Sequence, residues 1–81
     1  MKKQPQNKLR KYRHSTSLTQ FQLAVASTLS PVTICQTENG HTTPLYHNMQ
    51  AIVGALNSAG ARVKVRGKGE RKLEVTDVFT L

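Results

Sequence analysis

The side chains of this sequence that are best suited to chemistry are basic, and they fall into two blocks. One block lies within residues 1–14 and the other within residues 62–72, and together they contain all 12 lysines and arginines. Residues 15–61, between the blocks, carry a single formal charge, that of Glu38. Lysine and arginine bind phosphate through charge and hydrogen bonds. Two separated blocks of one sign therefore predict two contacts with one polyanion.

The length and composition fit one small domain with a polyanionic partner. The chain has 81 residues, of which 37% are hydrophobic, and a formal net charge of +8. This size excludes a multidomain enzyme with a deep cleft. The single cysteine, Cys35, cannot form an intramolecular disulfide, and no apolar run approaches the roughly 18 residues that would span a bilayer. We expect a cytoplasmic, nucleoid-associated protein that does not bind membranes.

Enzymatic chemistry is not predicted. The three histidines and Cys35 match no zinc-ligand spacing, and residues 67–69 lack the spacing and the following helix of a phosphate-binding glycine loop. We expect no catalytic residues, no metal and no other cofactor. A small histidine-dependent ribonuclease is the enzymatic alternative.

The first basic block lies in a segment that is predicted to be flexible. Residues 1–15 show no apolar periodicity and include Pro5, which predicts a disordered basic arm, with the folded domain over residues 16–81. Ser17 and Gln20 form a capping-box pattern that opens a predicted helix over 18–29. Residues 32–39 fit either a strand, by propensity, or a short helix between proline and glycine.

The clearest predicted helix covers residues 44–58. Thr43 suits the N-cap and Pro44 the first helical position, while Gly60 suits the left-handed position after the helix end. Its apolar side chains recur with helical spacing: Leu45, Met49, Ile52, Val53 and Leu56.

After Gly60 the apolar period changes to two. Val63 and Val65 share one face of a predicted strand, and basic side chains share the other. Residues 67–70 form a turn, and residues 71–79 return along the first strand. The pattern predicts an antiparallel β-hairpin over 61–79 with a cationic face.

This order of elements resembles the winged helix-turn-helix family of DNA-binding domains. The resemblance is carried by Ser17-Leu18-Thr19-Gln20, the Pro31 break, Thr43-Pro44, Asn57-Ser58-Ala59-Gly60 and the hairpin with Gly67-Lys68-Gly69 at its tip. It implies an α+β fold in which helices precede a C-terminal antiparallel hairpin, the wing. The helix at 44–58 would be the recognition helix, and a small phage, plasmid or prophage regulator would suit the size of the chain.

The resemblance also implies which residues contact double-stranded DNA. They come from the arm, from the start of the helix at 44–58 and from the hairpin: Lys8, Arg10, Lys11, Arg13, Thr42, Thr43, Tyr46, His47, Gln50, Arg66, Lys68, Arg71 and Lys72. Gln50 can pair with adenine, whereas the basic residues would contact phosphates. We expect sequence-selective but modest binding by a transcriptional or replication and recombination regulator, strengthened by homodimerisation or cooperative loading.

Two alternatives remain open from the residues alone. Basic arms and hairpins also serve RNA-binding and ribosome-associated proteins, although the chain lacks the paired aromatic residues of the common single-strand RNA modules. A phage-type protein-interaction module is the other alternative. The small face of the helix at 44–58, with Ala51, Gly54 and Ser58, could pack closely against a helix of another protein.

Overall fold

The structure is a computed structural model that describes residues 7–67 and 69–79. Over these residues the chain forms five helices and one hairpin, in the following order: α1 Leu9–Ser15, α2 Gln20–Ser27, α3 Pro31–Glu38, α4 Tyr46–Ser58, β1 Val63–Val65, β2 Gly69–Arg71 and α5 Val75–Val78. The predicted α+β class, with helices followed by a C-terminal antiparallel hairpin, is confirmed. No helix in this part of the chain is long and apolar enough to cross a membrane.

The first basic block is folded from residue 7 onward, so the predicted disordered arm is wrong for residues 7–15. Leu9 in α1 is completely buried in the core. Asn7 donates from Nδ2 to the carbonyl oxygen of Thr37 at 2.7 Å, and the amide of Lys8 donates to the carbonyl oxygen of Val78 at 2.7 Å. Leu9 and the partly buried Tyr12 anchor this short helix in the core, and so few apolar positions give no periodicity to detect. Residues 1–6 lie outside the described residues.

Helix α2 lies where a helix was predicted, but its capping box is two residues further along. Thr19 Oγ1 accepts from the amide of Gln22 at 3.0 Å, and Gln22 Oε1 accepts from the amide of Thr19 at 2.9 Å. Ser17, the predicted cap, has a left-handed φ of 63° instead. The helix therefore runs over Gln20–Ser27 rather than 18–29.

Residues 31–38 form a helix, which resolves the open choice between strand and helix. Ser30 Oγ caps α3 by accepting from the amide of Thr33 at 3.1 Å, and Pro31 occupies the first helical position. Ile34 and Thr37 are buried. Packing of these β-branched side chains outweighs their weak helix propensity.

Helix α4 buries most of its predicted apolar stripe but begins two residues later than expected. Its N-cap is Leu45, with no capping side chain, so the predicted roles of Thr43 and Pro44 are wrong. Leu45 precedes the helix and is 67% exposed, whereas the rest of the predicted stripe is buried. Gly60 has the left-handed φ, 102°, that its place after the helix end requires.

The hairpin is shorter than predicted. Strand β1 pairs antiparallel with β2, with Val63 opposite Arg71 and Val65 opposite Gly69. The predicted return to residue 79 stops at Arg71, and the chain then enters α5. The Asn57 side chain holds this exit against α4, because it bonds the amide of Leu73 at 2.7 Å and the carbonyl oxygen of Leu73 at 3.1 Å.

The core lies between the helices. Helix α2 packs against α3 and α4, α4 also packs against α5, and α1 packs against α3. The largest fully buried apolar side chains come from all five helices: Leu9, Leu23, Ile34, Ile52, Leu56 and Val78. Val63 of β1 packs on this core from its edge. Residues from both ends of the described chain therefore share one core.

The burial of Leu9 predicts a large loss of stability in Leu9→Ala. We expect the free energy of unfolding to fall by about 3 kcal/mol, because the substitution removes buried methyl groups and leaves a cavity. Urea denaturation followed by circular dichroism measures the change. The matched control is Lys11→Ala in the same helix, where the side chain is exposed and the expected change is less than about 0.5 kcal/mol. Equal effects of the two substitutions would contradict the packing of α1.

Candidate nucleic-acid interface

Arg13, predicted to contact phosphate, is instead part of the interior. Its guanidinium bonds both carboxylate oxygens of Glu38, from Nε to Oε2 and from Nη2 to Oε1 at 3.1 Å. Its Nη1 donates to the carbonyl oxygen of Leu18 at 2.8 Å. The side chain is only 11% exposed. The phosphate contact of Arg13 stays a prediction, and a long-range ion pair with Glu38 already occupies this guanidinium.

Glu38 is the centre of this cluster and is fully buried. Gln20 donates to Oε1 at 3.1 Å and Arg10 Nε at 3.4 Å, so the carboxylate joins α1, α2 and α3. Burial raises the pKa of Glu38, but hydrogen bonds from Arg13, Gln20 and Arg10 and the Arg13 charge outweigh it and hold the pKa below its ordinary value. One signal in the sequence could have indicated this buried ion pair: Glu38 is the single charged residue of residues 15–61.

The other predicted cations of the first block are exposed to different degrees. Lys8 and Lys11 are exposed on α1 and its N-cap. The Lys11 ammonium lies 5.5 Å from the centre of the Tyr12 ring. Arg10 is half exposed, with Nη2 donating to Asn39 Oδ1 at 2.5 Å as well as Nε to the buried carboxylate. Lys8, at the N-cap, and Lys11, on α1, therefore keep their charges accessible to solvent.

In the hairpin region an acid neutralises Arg71, one of the residues predicted to contact phosphate. Arg71 binds Asp77 with both terminal nitrogens, at 2.8 and 2.9 Å. These bonds hold the pKa of the Asp77 carboxyl below its ordinary value. Arg66 and Lys72 are exposed, whereas Lys68 lies outside the described residues. Arg66 and Lys72 are thus better placed than Arg71 to meet a phosphate.

The predicted base-reading residues all lie at the surface around the start of α4. Thr42 and Thr43 are exposed in the connection before it, and Tyr46, His47 and Gln50 are exposed on its first turns. The connection from α3 to α4 spans residues 39–45. Helix-turn-helix pairs are joined by only three or four residues. The structure places these side chains near one another at the start of α4. Because of the long connection, α4 is not the second helix of a helix-turn-helix pair with α3.

A short turn instead joins α2 to α3. It consists of residues 28–30, and Thr28 takes the left-handed φ, 59°, that often calls for glycine in such turns. Val32, which is 64% exposed, and Gln36 lie one helical turn apart on the outer side of α3. Sequence reasoning did not select either residue, because it left this segment as strand or helix.

The two basic blocks meet in one groove. Lys11, Tyr12 and Ser15 of α1 and Arg62, Val63 and Lys64 at β1 line a space of about 370 Å³. The blocks are far apart in the sequence, but the fold makes them neighbours. Arg62 and Lys64 were counted in the second block, but they were not among the predicted contact residues.

No protein-family model, curated protein or solved structure matches this chain. The features that bear on function are therefore geometric: the short turn between α2 and α3, the exposed cations, and the groove between α1 and β1.

The lowered pKa of Glu38 predicts a loss of stability in acid. A carboxyl with a folded pKa below its unfolded value, about 4.3, stabilises the fold above that value and ceases to do so as the pH falls through the folded pKa. We expect the free energy of unfolding to decrease over this range. In Glu38→Gln it should be lower at neutral pH by about 3–5 kcal/mol, because Arg13 loses its partner, and should depend less on pH.

Urea denaturation between pH 7 and pH 2 tests this expectation, and the carboxyl carbon shift of Glu38 in NMR gives its pKa directly. Glu70→Gln, at an exposed position on β2, is the control and should retain the pH dependence of the unchanged chain. A Glu38 carboxyl that titrates above its ordinary value would contradict the proposed balance of burial and hydrogen bonding.

Proposed function

We propose that this protein binds double-stranded DNA with sequence selectivity, as a small transcriptional or replication and recombination regulator of the winged helix-turn-helix type. The observation that carries the proposal is the three-residue turn between α2 and α3, which matches the connection of a helix-turn-helix pair. Its second helix presents exposed side chains next to a capped N-terminus. Such a helix enters the major groove in DNA-binding pairs, while the first helix crosses the backbone.

Helix α3 is a better candidate than α4 for the reading helix. Its inner side is fixed by Ile34, Thr37 and Glu38, all buried, so its outer side is held in one orientation. The connection before α4, residues 39–45, is too long for the short turn of the motif. The proposal therefore moves base reading from Gln50 to α3.

The outer side of α3 offers two kinds of contact. Gln36 has the amide group that pairs with the N6 and N7 edge of adenine, and Val32 can pack on a thymine methyl group. One good bidentate pair supplies about 1–3 kcal/mol of discrimination. So few reading side chains give limited selectivity per chain, which favours binding as a homodimer on two half-sites.

The cations that would hold the phosphates are exposed ones that form no ion pair with an acid of residues 7–67 and 69–79. They lie on α1 and on the hairpin, which would act as the wing: Lys8, Lys11, Lys64, Arg66 and Lys72. Arg13 and Arg71 are excluded from this role by their ion pairs with Glu38 and Asp77. Contacts of this kind position the protein on DNA and do not read its sequence.

Replacement of two exposed glutamines tests which helix reads bases. A preferred duplex is first selected from a random pool, and its affinity is compared with that of a scrambled duplex. We expect Gln36→Ala to reduce the ratio of the two affinities about tenfold, because it removes a base contact worth about 1–3 kcal/mol. Gln50→Ala is the matched control on α4 and should leave the ratio unchanged. The reverse result would restore α4 as the reading helix, and failure to select any duplex would contradict the proposal.

The salt dependence of duplex binding tests the assignment of phosphate contacts. We expect the double variant Arg66→Gln/Lys72→Gln to reduce the slope of log affinity against log salt by about 1.8, since each lost phosphate contact contributes about 0.9. The matched control is Arg71→Gln/Asp77→Asn, which removes an ion pair without changing the net charge and should leave the slope unchanged. Equal slopes in all three proteins would show that these two cations do not contact phosphate.

A further inference from the structure

The groove between α1 and β1 has a lining unlike that of the proposed reading surface. Its volume is about 370 Å³, within the 300–1,000 Å³ typical of small-molecule sites. The lining combines three basic side chains with an aromatic ring, a valine and a hydroxyl: Lys11, Arg62, Lys64, Tyr12, Val63 and Ser15. The described lining includes no carboxylate, so the cations keep their charge for a ligand.

The aromatic wall of the groove is held in place by the core. The Tyr12 and Val63 side chains are half-buried and pack against the hydrophobic core. The Lys11 ammonium lies 5.5 Å from the centre of the Tyr12 ring, and its methylene stem can cover apolar surface. This side of the groove therefore offers a fixed aromatic ring and a valine, and a base stacked on the ring would share it with the Lys11 ammonium.

The polar side of the groove is also fixed. Arg62 Nη1 donates to the carbonyl oxygens of Asn57 at 3.0 Å and Ala61 at 2.6 Å, at the end of α4. These two bonds hold the guanidinium plane and use one of its three nitrogens. Ser15 Oγ donates to the carbonyl oxygen of Tyr12 at 2.7 Å, which leaves its lone pairs able to accept a hydrogen bond.

We propose that this groove binds a single nucleotide, with the base against Tyr12 and Val63 and the phosphate among the three cations. A nucleotide has both features that the lining selects, a flat aromatic group and an anion. Base stacking on an aromatic side chain and basic contacts to phosphate are the usual means of holding an unpaired nucleotide. Bases of an intact duplex are stacked on each other and cannot reach the Tyr12 ring, so this site goes beyond duplex reading.

Two sources could supply this chemistry: a free nucleoside phosphate and an unpaired nucleotide of a single strand. The experiment titrates the full chain, labelled with ¹⁵N, with adenosine monophosphate, adenosine, inorganic phosphate and a short single-stranded oligodeoxyadenylate. We expect adenosine monophosphate to shift the amides of Tyr12, Ser15, Val63 and Lys64. Its affinity should exceed that of phosphate by about tenfold, the order expected from stacking one base. It should also exceed that of adenosine, because adenosine lacks the phosphate that the cations bind.

Variants separate the base contact from the phosphate contact. We expect Tyr12→Leu to weaken adenosine monophosphate binding about tenfold and to leave phosphate binding unchanged. Lys11→Gln/Lys64→Gln should weaken both ligands. The matched control is Lys8→Gln/Lys72→Gln, which removes the same charge outside the groove and should leave both affinities unchanged. The ¹⁵N spectrum of each variant checks whether the fold is retained.

Adenosine monophosphate that binds no more tightly than phosphate, or shifts that fall outside the groove, would overturn the proposal. So would a Tyr12→Leu protein with unchanged affinity for adenosine monophosphate. Tighter binding of the oligonucleotide would assign the groove to unpaired strands, and tighter binding of the mononucleotide would assign it to a free ligand; both results support it. Gln36→Ala should not alter this binding, so failure of duplex reading and failure of the groove proposal are distinguishable.

Discussion

The Glu38 carboxylate lies inside the protein, where removal of a charge from water costs several kcal/mol unless partners compensate it. Arg13 and Arg10 of α1 and Gln20 of α2 supply those partners. A single residue of α3 thereby fixes three helices at once. Because Glu38 faces inward, Gln36, which lies two residues before it and so on nearly the opposite side of α3, faces solvent. The orientation of the proposed reading surface depends on this buried charge.

Ion pairing with acidic residues also decides which basic residues are available to a ligand. The chain has 4 acidic residues against 12 basic ones, and Glu38 and Asp77 each hold an arginine in a close ion pair. Arg13 consequently stabilises the fold, and Arg71 is tied to the start of α5. Net charge alone indicates an affinity for polyanions, but the pairing determines where on the surface that affinity is located.

Local signals in the sequence predicted much of the fold. The apolar stripe of α4, the left-handed Gly60 and the inward side of β1, with Val63 and Val65, all follow from spacing or from backbone preference. Two features that depend on distant partners were not predicted. Leu9 finds its contacts only in the folded core, and Arg13 pairs with an acid 25 positions away. In the site, exposure of the hairpin cations was predictable, whereas the neutralisation of one of them, Arg71, by Asp77 was not.

The ambiguity over residues 32–39 had the largest consequence for function. A strand there would leave α2 without a helical partner across a short turn, and α4 would then be the natural helix to read DNA. Once Pro31–Glu38 is helical, residues 28–30 become the short turn, and the long connection over 39–45 separates α4 from the pair. Helix propensity disfavoured this outcome, but burial of Ile34 and Thr37 outweighs propensity. Tertiary packing therefore both forms α3 and moves the proposed reading surface onto it.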